Sequence, residues 1–526
     1  MNKIIELNLS PQEAASENNF KPLAGNALAI EATRISYIRI LRKSIDARKK
    51  SDIRVNLKLE VFFDEAPPEK DIYKFKFRDV SNKPIVIIVG AGPAGLFAAL
   101  ELIENGLKPI ILERGKVITE RKRDIAILNR EQIVNPESNY CFGEGGAGTF
   151  SDGKLYTRSH KRGDITKILQ IFNSNGAQDE ILYESHPHIG TNRLPAVITK
   201  MRELIESCGG EIKFKTKVID FLIEEDYIIG VKTENGDKIL AKNVILATGH
   251  SARDVYEVLY QRNIKLEAKG FAMGLRVEHP QELIDNIQYG LKERGLLPAA
   301  EYSLATQVEN RGVYSFCMCP GGWIVASTTS ENQVVVNGMS GSERNSPYAN
   351  SGIVVEIRPE DLPEYAQYKE MAGLIFQEKL ETMAKLNGGY KQSAPTQRLQ
   401  DFVNGKLSAT LPRASYFPGS TSSPIHFWLP EFISTRLQKA FVDFDKKMHG
   451  FLTNEAVVLG VESRTSSPVR IPRNMETLEH IQIKGLYPCG EGAGYAGGIV
   501  SSAIDGINCA KKISEKYNKF DWLIEE

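Results

Sequence analysis

The sequence has few cysteines, no excess of charge of either sign and no long hydrophobic run, and each absence excludes a class of protein. The six cysteines among 526 residues include no C-x-x-C pair, which favours reduced thiols over a disulfide framework or a zinc site. Acidic and basic residues balance at 66 each, so no net charge draws the chain to nucleic acid. His186 and His188 have no further metal ligands beside them in the sequence, and we predict no metal site.

Segments that direct a protein to a membrane are also missing. The N-terminal residues have neither the apolar core nor the small-residue cleavage site of a signal peptide. Residues 85–100 carry no charge, but they contain three glycines and one proline. This segment is shorter than the ~20 residues that a membrane-spanning helix needs. The sequence therefore predicts a cytoplasmic protein without a membrane partner.

What the sequence does contain is a glycine-rich turn after an apolar strand at residues 85–89. The G-x-G-x-x-G pattern and the residues within it are Gly90, Gly92, Pro93, Ala94 and Gly95. Such a turn lets the N–H groups at the start of a helix approach a pyrophosphate. Glu113 ends the next strand, where a carboxylate can accept the ribose hydroxyls of a dinucleotide, and Arg114 follows it. The order of strand, glycines, helix, strand and acid predicts a dinucleotide site.

Two later segments favour FAD over NAD as the dinucleotide. Residues 244–249 read as an apolar strand ending in Ala-Thr-Gly, which resembles the second fingerprint of flavoproteins with two dinucleotide folds. Glu491, between two glycines, resembles the acid with which such proteins bind the ribityl and phosphate groups. The helix after Gly498 is expected to direct its positive end at the flavin and to stabilise negative charge on reduction. The two ends of the chain together predict bound FAD.

Further contacts to FAD are predicted from these segments, from a glycine-rich stretch at residues 143–149 and from the strand at residues 216–218. The stretch resembles the one that covers the isoalloxazine in fumarate-reductase-like flavoproteins. The predicted cofactor-binding residues outside the first turn are Gly146, Gly148, Thr149, Ser151, Lys154, Val218, Ala247, Thr248, Gly249, Gly490, Glu491, Gly497, Gly498 and Ile499.

At this level the chain resembles an uncharacterised family of bacterial FAD-dependent dehydrogenases, the NAD(FAD)-utilising dehydrogenases. The resemblance covers nearly all of the chain and rests on residues 42–50, 142–154, 312–322, 392–401 and 461–470. It implies a flavoprotein fold like that of glutathione reductase, in a group whose substrate is not established. The family name does not by itself imply that NAD is used.

The predicted fold class is α/β, with a Rossmann-like, two-dinucleotide-fold FAD-binding domain. We expect this domain at residues 81–265 and 451–526, with a mixed α/β substrate domain inserted at residues 266–450. Residues 1–80 are expected to form a small α+β domain. In it, residues 28–41 show helix-like apolar spacing and residues 55–61 alternate as a strand does.

The sequence offers no second nucleotide domain for a nicotinamide. Between residues 150 and 480 no other full G-x-G-x-x-G occurs of the kind that builds an NAD(P)H domain. NAD(P)H is therefore predicted at most as a transient electron donor that binds without a Rossmann domain of its own.

Two pairs of residues are candidates for chemistry beside the flavin. Arg464 and Arg470 flank a run of hydroxyl residues and could bind a carboxylate or phosphate, or form structural ion pairs. Cys317 and Cys319 form a C-x-C pair that cannot easily close a disulfide, and they could be small apolar fillers or active-site thiols. His250, directly after Ala-Thr-Gly, is read as structural.

We therefore predict an FAD-dependent oxidoreductase that transfers hydride between a small, anionic organic substrate and the flavin. Arg464 and Arg470 would orient the substrate. One alternative is a flavin-dependent RNA-modifying enzyme, motivated by a basic run at residues 39–54, although interleaved acids weaken the case for nucleic acid. The other alternative is a flavin-binding scaffold without enzymatic activity.

Overall fold

The computed structural model describes residues 1–66, 75–157, 163–389 and 391–521. Within these ranges, no helix combines the length and the apolar character needed to cross a bilayer. The α/β fold class predicted from the sequence is confirmed, since parallel and antiparallel sheets alternate with helices along the chain.

The N-terminal unit is a three-stranded antiparallel sheet in the order β1-β3-β2, covered on one face by a short helix. Its elements are β1 (Asn2–Leu9), α1 (Phe20–Leu28), β2 (Ile35–Asp46) and β3 (Arg54–Phe63). The strand predicted at residues 55–61 is confirmed. The helix-like spacing at residues 28–41 is misleading, because β2 occupies the second half of this segment. Its β-branched residues suit a strand, and β2 pairs with β3 along its length.

Acidic neighbours compensate much of the basic run in this unit. Arg39 lies 3.1 Å from Glu60, while Arg48 pairs with Asp46 and Arg54 with Asp52. Strand β2 also joins the N-terminal unit to the rest of the protein, because the backbone N–H of Lys43 donates to the carbonyl of Tyr183. Three of the seven basic residues of the run are thus paired with carboxylates of the same unit.

A five-stranded parallel sheet follows and carries the glycine-rich turn. The elements between residues 81 and 265 are β4 (Ile85–Val89), α2 (Pro93–Glu104), β5 (Lys108–Leu112), α3 (Ile118–Glu131), α4 (Ile165–Ser174), α5 (Leu194–Ser207), β6 (Glu211–Lys213), β7 (Val218–Glu224), β8 (Tyr227–Thr233), β9 (Lys238–Leu240), β10 (Val244–Leu246) and α6 (Arg253–Gln261). Strands β7, β8 and β9 form a separate antiparallel sheet.

The next segment builds most of a second, largely antiparallel sheet. Its elements are β11 (Glu267–Ala268), β12 (Phe271–Pro280), α7 (Gln281–Tyr289), β13 (Ala305–Val308), β14 (Arg311–Cys319), β15 (Gly322–Ala326), β16 (Val336–Ser340), β17 (Tyr348–Ile357), α8 (Ala372–Gly388), β18 (Ala394–Arg398), α9 (Leu399–Val403), β19 (Ser420–Ser422), α10 (Ile425–Trp428) and α11 (Glu431–Lys447). A pair formed by β15 and β16 stands beside this sheet.

The C-terminal segment contributes to both large sheets. Its elements are β20 (Val457–Glu462), β21 (Val469–Arg470), β22 (Leu486–Pro488) and α12 (Ile499–Asp521). The parallel sheet has the order β22-β10-β4-β5-β6, and the seven-stranded sheet has the order β13-β14-β17-β12-β20-β18-β19. Because β20 lies between β12 and β18, the second sheet continues past the boundary predicted at residue 450.

The core of the nucleotide-binding part depends on close packing between α2 and α12. A Cβ atom on Gly506 of α12 would lie 2.1 Å from the carbonyl oxygen of Ala94 in α2. Strand β4 is buried from Val86 to Val89, because the sheet is covered on both faces. The carboxyl ends of β4, β10 and β22 therefore meet at one edge of the sheet, where ligands bind in open α/β sheets.

Candidate functional site

A cavity of about 410 Å³ opens at that edge, between the parallel sheet and the seven-stranded sheet. The first sheet contributes the turn after β4, and β14 and β16 contribute Phe316, Cys317 and Asn337 from the opposite side. The cavity thus lies where a dinucleotide on the parallel sheet would face a wall built by the insertion.

The glycine-rich turn after β4 is shaped by close backbone contacts. Gly90 has φ +107°, and a Cβ atom there would lie 2.5 Å from the carbonyl oxygen of Ala247. At Gly95, which does not line the cavity, a Cβ atom would lie 2.0 Å from the carbonyl oxygen of Gly90. Gly92 precedes α2, and no side chain caps this helix start. Its first N–H groups remain available for a phosphate.

The second glycine-rich stretch is fastened against the first. The N–H of Gly145 donates to the carbonyl of Ala91 at 2.9 Å, and a Cβ atom on Gly146 would lie 2.9 Å from the Cα of Gly92. Thr149 does not line the cavity, because its hydroxyl turns inward and donates to the carbonyl of Glu144.

The fully buried Arg121 holds this stretch in place. Its guanidinium donates to the carbonyls of Asn139, Tyr140 and Glu144 at 2.8–2.9 Å. Burial lowers the pKa of Arg121 to about 10, which still leaves it charged at neutral pH. No sequence pattern predicts this role, because an arginine in a helix is expected to be exposed.

Glu113 lines the cavity but is already bonded to the protein. Its carboxylate accepts hydrogen bonds from the N–H groups of Ala91, Gly115 and Gly143 at 2.8–3.0 Å. Since a carboxylate offers about four lone-pair sites, little capacity is left for ribose hydroxyls. Glu113 therefore joins the two glycine-rich stretches, and its predicted contact with ribose stays a prediction.

Arg114 and Val218 lie at the neighbouring end of the cavity. The Arg114 guanidinium is held by Asp254 at 2.8 and 2.9 Å and by Glu137 at 2.6 Å. It also stacks over the ring of Phe142, with 4.4 Å between the guanidinium carbon and the ring centroid. These contacts hold the Arg114 side chain in one position, at the end of the cavity that residues 216–218 also line.

The glycine-rich segment at residues 490–498, which follows β22, forms another wall of the cavity. The carboxylate of Asp505 accepts the N–H of Gly490 at 2.8 Å and is itself clamped by Arg473 at 2.6 and 3.0 Å. Glu491 accepts a short hydrogen bond from the N–H of Gly498 at the start of α12, and burial raises the pKa of its carboxyl.

The buried Arg473 also bears on a possible metal site. Cys489, Asp505 and Cys509 bring ligand atoms within 4.8 Å of one another. The Arg473 guanidinium donates to the Asp505 carboxylate and lies 3.7 Å from the sulfur of Cys509. This group supplies the positive charge that a metal ion would otherwise bring.

Arg464 lines the cavity, but a carboxylate already binds it. Its guanidinium donates to both oxygens of Glu381 at 3.2 and 3.1 Å, and Arg253 binds the same two oxygens at 2.9 Å. Burial opposes ionisation of Glu381, yet the two guanidiniums lower its pKa to about 2. Of the two readings given by the sequence, this geometry favours the structural ion pair.

Arg470 lies outside the cavity lining. It stands in the short β21, opposite Glu267 of β11, with its guanidinium carbon 5.6 Å from the ring centroid of Tyr495. The two arginines that the sequence paired around one substrate are thus not brought together at the cavity.

His250, read as structural from the sequence, lines the cavity. Its Nε2 lies 3.6 Å from the carboxylate of Glu491. Burial, together with the charges of Arg464 and Arg253, lowers the pKa of His250 to about 3, so the ring is neutral at physiological pH.

Lys154, Cys317 and Cys319 meet at the wall formed by β14. The Lys154 ammonium group donates to the carbonyl of Met318, between the two cysteines. The Cys317 side chain is exposed to the cavity, whereas Cys319 is buried and directs its sulfur to the carbonyl of Cys317 at 3.3 Å. Burial raises the pKa of the Cys317 thiol to about 11.

Most of the residues predicted from the sequence surround this one cavity. The predicted residues that line it are Gly90, Gly92, Pro93, Ala94, Glu113, Arg114, Gly146, Gly148, Ser151, Lys154, Val218, Ala247, Thr248, Gly249, Cys317, Cys319, Arg464, Gly490, Glu491, Gly497, Gly498 and Ile499. Those that do not line it are Gly95, Thr149 and Arg470. Sequence reasoning missed Tyr156 and Asn337, which lie in no motif, and did not single out Phe142 and Phe316 within the segments 142–154 and 312–322.

The cavity walls fit FAD in shape and in donor chemistry. Among the residues that the structure describes, no atom lies within 4 Å of a Cβ atom added at Gly249, Gly497 or Gly498, and all three backbones line the cavity. The uncapped start of α2 offers N–H groups to a pyrophosphate. On these observations the turn after β4, residues 216–218, residues 247–249 and residues 490–499 would hold the dinucleotide.

Comparison with known sequences gives three matching regions. Residues 84–265 match the family described as pyridine nucleotide-disulphide oxidoreductase, and residues 270–465 match the family described as FAD-dependent protein, C-terminal domain-like. Residues 1–62 match a domain of unknown function.

Individual relatives differ greatly in how much of the chain they share. An uncharacterized protein of Clostridium beijerinckii is 41% identical over 503 residues, which cover 92% of this chain and 93% of the relative. A digeranylgeranylglycerophospholipid reductase of Methanosarcina acetivorans is 26% identical over 175 residues, which cover 31% of this chain and 37% of the relative. The crystal structure of L-proline dehydrogenase from P. horikoshii covers 84% of this chain and 95% of its own, at 13% identity. Its TM-score of 0.34 is too low to support an argument about function.

Proposed function

This chain belongs to the same family as the uncharacterized Clostridium beijerinckii protein and is an FAD-dependent oxidoreductase, and we propose that its substrate is a small organic anion. Bound FAD supplies the two-electron redox chemistry. The protein's own part is to bind the substrate against the wall formed by β14 and β16 and to keep water from the reacting atoms. The match of residues 84–265 to the pyridine nucleotide-disulphide oxidoreductase family supports an enzyme over the alternative of a non-enzymatic scaffold.

The proposal of an anionic substrate rests on the positive charge of Lys154. Its ammonium group lines the cavity with 30% of the side chain exposed. The nearest carboxylate, Asp152, lies 3.8 Å away and is bonded by Arg344 through 2.8 and 3.3 Å contacts. Because Arg344 compensates Asp152, the charge of Lys154 remains available to a carboxylate or phosphate group of a substrate.

This assignment replaces the pair of arginines expected from the sequence. Arg464 is held by Glu381, and Arg470 lies outside the cavity lining. Lys154 follows the glycine-rich stretch by a few residues, so the backbone that borders the cofactor also places the substrate's charge. A single cation favours a substrate with one anionic group.

Ion pairs on the N-terminal unit weaken the alternative of an RNA-modifying enzyme. Arg39, Arg48 and Arg54 are bonded to carboxylates of the same unit, as described above. Phosphate contacts would have to compete with these ion pairs.

The test is anaerobic bleaching of the visible band of bound FAD by matched pairs of metabolites. Each pair consists of a carboxylate and its neutral amide or methyl ester, or of a phosphate monoester and its parent alcohol. We expect bleaching by an anionic member and not by its neutral partner. In Lys154→Met, binding of that anion should weaken by about 1.5–3 kcal/mol, the value of a hydrogen bond to a charged group. Lys154→Arg should retain part of the binding, and Lys122→Met on the exposed face of α3 should change nothing. Equal bleaching by neutral and anionic members would overturn the proposal.

A further inference from the structure

Cys317 has a strained backbone at the point where its side chain enters the cavity. Its φ is +48°, in the left-handed region that side-chain-bearing residues seldom adopt. The pairing between β14 and β17 shifts register between Phe316 and Cys319, which marks a β-bulge. Bulges beside active sites commonly redirect a side chain, and here the redirected group is a thiol.

Two cations hold the bulge by its carbonyl groups. Arg276 donates to the carbonyl of Cys317 at 2.7 Å, and Lys154 donates to the next carbonyl, that of Met318. The bulge is therefore fixed on both of its successive peptide groups. A strained conformation persists when its surroundings determine it in this way.

Arg276 is itself held with little freedom. It is fully buried and donates to Glu462 at 2.6 Å and to the side-chain oxygen of Asn350 at 2.9 Å. Both partners are buried, and one oxygen of Glu462 has no hydrogen-bond partner. A buried ion pair is costly to desolvate, so an apolar pair would stabilise this sheet as well or better. We infer that the ion pair between Arg276 and Glu462 serves to hold the bulge in position.

We propose that Cys317 is a catalytic-site residue whose thiol touches the reactive end of the bound cofactor, and that Arg276 is its positioning residue. The proposal deepens the proposed function and rests on it in placing the reaction at this wall of the cavity. The same cavity is lined by Gly148 and by Ile499 at the start of α12, on the side that would hold the cofactor.

The electrostatic surroundings of the thiol suit a contact of this kind. At neutral pH the Cys317 thiol is protonated, because burial raises its pKa. Lys154 and Arg276 both favour the thiolate, so an increase in pH toward 11 creates an anion beside the cofactor.

The experiment uses the FAD-loaded protein and needs no substrate. Alkylation of Cys317 by iodoacetamide is measured by peptide mass spectrometry with and without FAD, and the half-exposed Cys208 serves as the internal control. We expect FAD to slow alkylation of Cys317 by about tenfold or more, since the reaction requires access to the sulfur. Alkylation of Cys208 should not change.

A second readout separates contact with the cofactor from a merely structural role. As the pH is raised toward 11, the long-wavelength absorbance of the bound flavin should rise in the wild type and not in Cys317→Ser. Cys317→Gly should raise the melting temperature, because glycine adopts the left-handed conformation without strain, and should also lose the absorbance change. Arg276→Lys should abolish the protection of Cys317 by FAD while FAD stays bound.

Two results would overturn the proposal. One is a fully yellow protein in which Cys317 reacts equally fast with and without FAD. The other is an identical absorbance response in the wild type and Cys317→Ser. Neither result bears on whether the substrate is an anion, so failure here is distinguishable from failure of the proposed function.

Discussion

The carboxylate of Asp505 accepts the N–H of Gly490 at 2.8 Å from within α12. The two residues stand on consecutive elements, so this contact fixes the glycine segment after β22 relative to the helix that follows it. Arg473 completes the arrangement by binding both oxygens of the same carboxylate.

Replacement of Asp505 by alanine should weaken FAD binding and destabilise the fold together. It leaves Arg473 as a buried, unpaired charge, and the loss of one partner of such a pair costs about 3–5 kcal/mol. Urea denaturation and FAD titration measure the two effects. Lys512→Ala, in an exposed pair with Glu515 on the same helix, should cost less than about 1 kcal/mol. An unchanged FAD affinity in Asp505→Ala would show that the position of Gly490 is not critical.

Two glycine substitutions should separate folding from cofactor binding. Gly90→Ala puts a methyl group 2.5 Å from a backbone oxygen and should destabilise the protein even without FAD. Gly497→Ala meets no protein atom within 4 Å, so the apoprotein should keep its stability while FAD binds more weakly. Melting curves of both apoproteins, followed by FAD titration, test the contrast. Normal FAD affinity in Gly497→Ala would place the cofactor elsewhere.

The pH dependence of stability should report the triad of Arg253, Glu381 and Arg464. The pKa of Glu381 falls from 4.5 to about 2 on folding, which contributes about 3 kcal/mol at neutral pH. This contribution is complete above pH 4.5 and is lost as the pH falls toward 2. Glu381→Gln should therefore be much less stable than the wild type at pH 7, and the gap should shrink in acid.

The neighbouring Glu378 provides the control for that experiment. It lies 3.5 Å from Arg253 with 32% of its side chain exposed, so solvent screens the pair. Glu378→Gln should change the urea midpoint only slightly at either pH. A gap between wild type and Glu381→Gln that does not depend on pH would contradict the assignment of the charge to Glu381.

Arg121 should prove essential for the second glycine-rich stretch. Lysine cannot reach the three carbonyls that the guanidinium binds, so Arg121→Lys should destabilise the protein by about 3 kcal/mol or more and lower FAD affinity. Arg123→Lys, two positions further along α3 and exposed, is the matched control. Thermal unfolding with and without FAD measures both variants.

The sequence predicted those parts of the site that are local in the chain. The turn at Gly90 and the segment around Gly490 each follow a strand directly, and spacing alone identifies them. The partner of Arg464 could not be found in this way, because Glu381 lies 83 residues earlier in the chain, in α8. The same limit explains Arg121, because the pattern of α3 does not indicate which carbonyls its guanidinium binds.

Errors in the predicted fold also came from contacts that no local pattern contains. Strand β2 was mistaken for a helix, because its apolar spacing is ambiguous until pairing with β3 decides it. The position of β20 between β12 and β18 is a pairing across nearly 200 residues of sequence. By contrast, the alternation of apolar and polar residues at 55–61 was sufficient to predict a strand, since one face of β3 is buried along this segment.

The chain passes from β20 in the seven-stranded sheet to β22 in the parallel sheet within a few tens of residues, and Arg464 lies on this path. The two sides of the pocket are thereby mechanically linked. A hinge that opened the pocket would have to bend this connection and pull Arg464 from Glu381. Substrate entry and product release should therefore proceed by local movement at the rim, with the two halves of the molecule moving as one body.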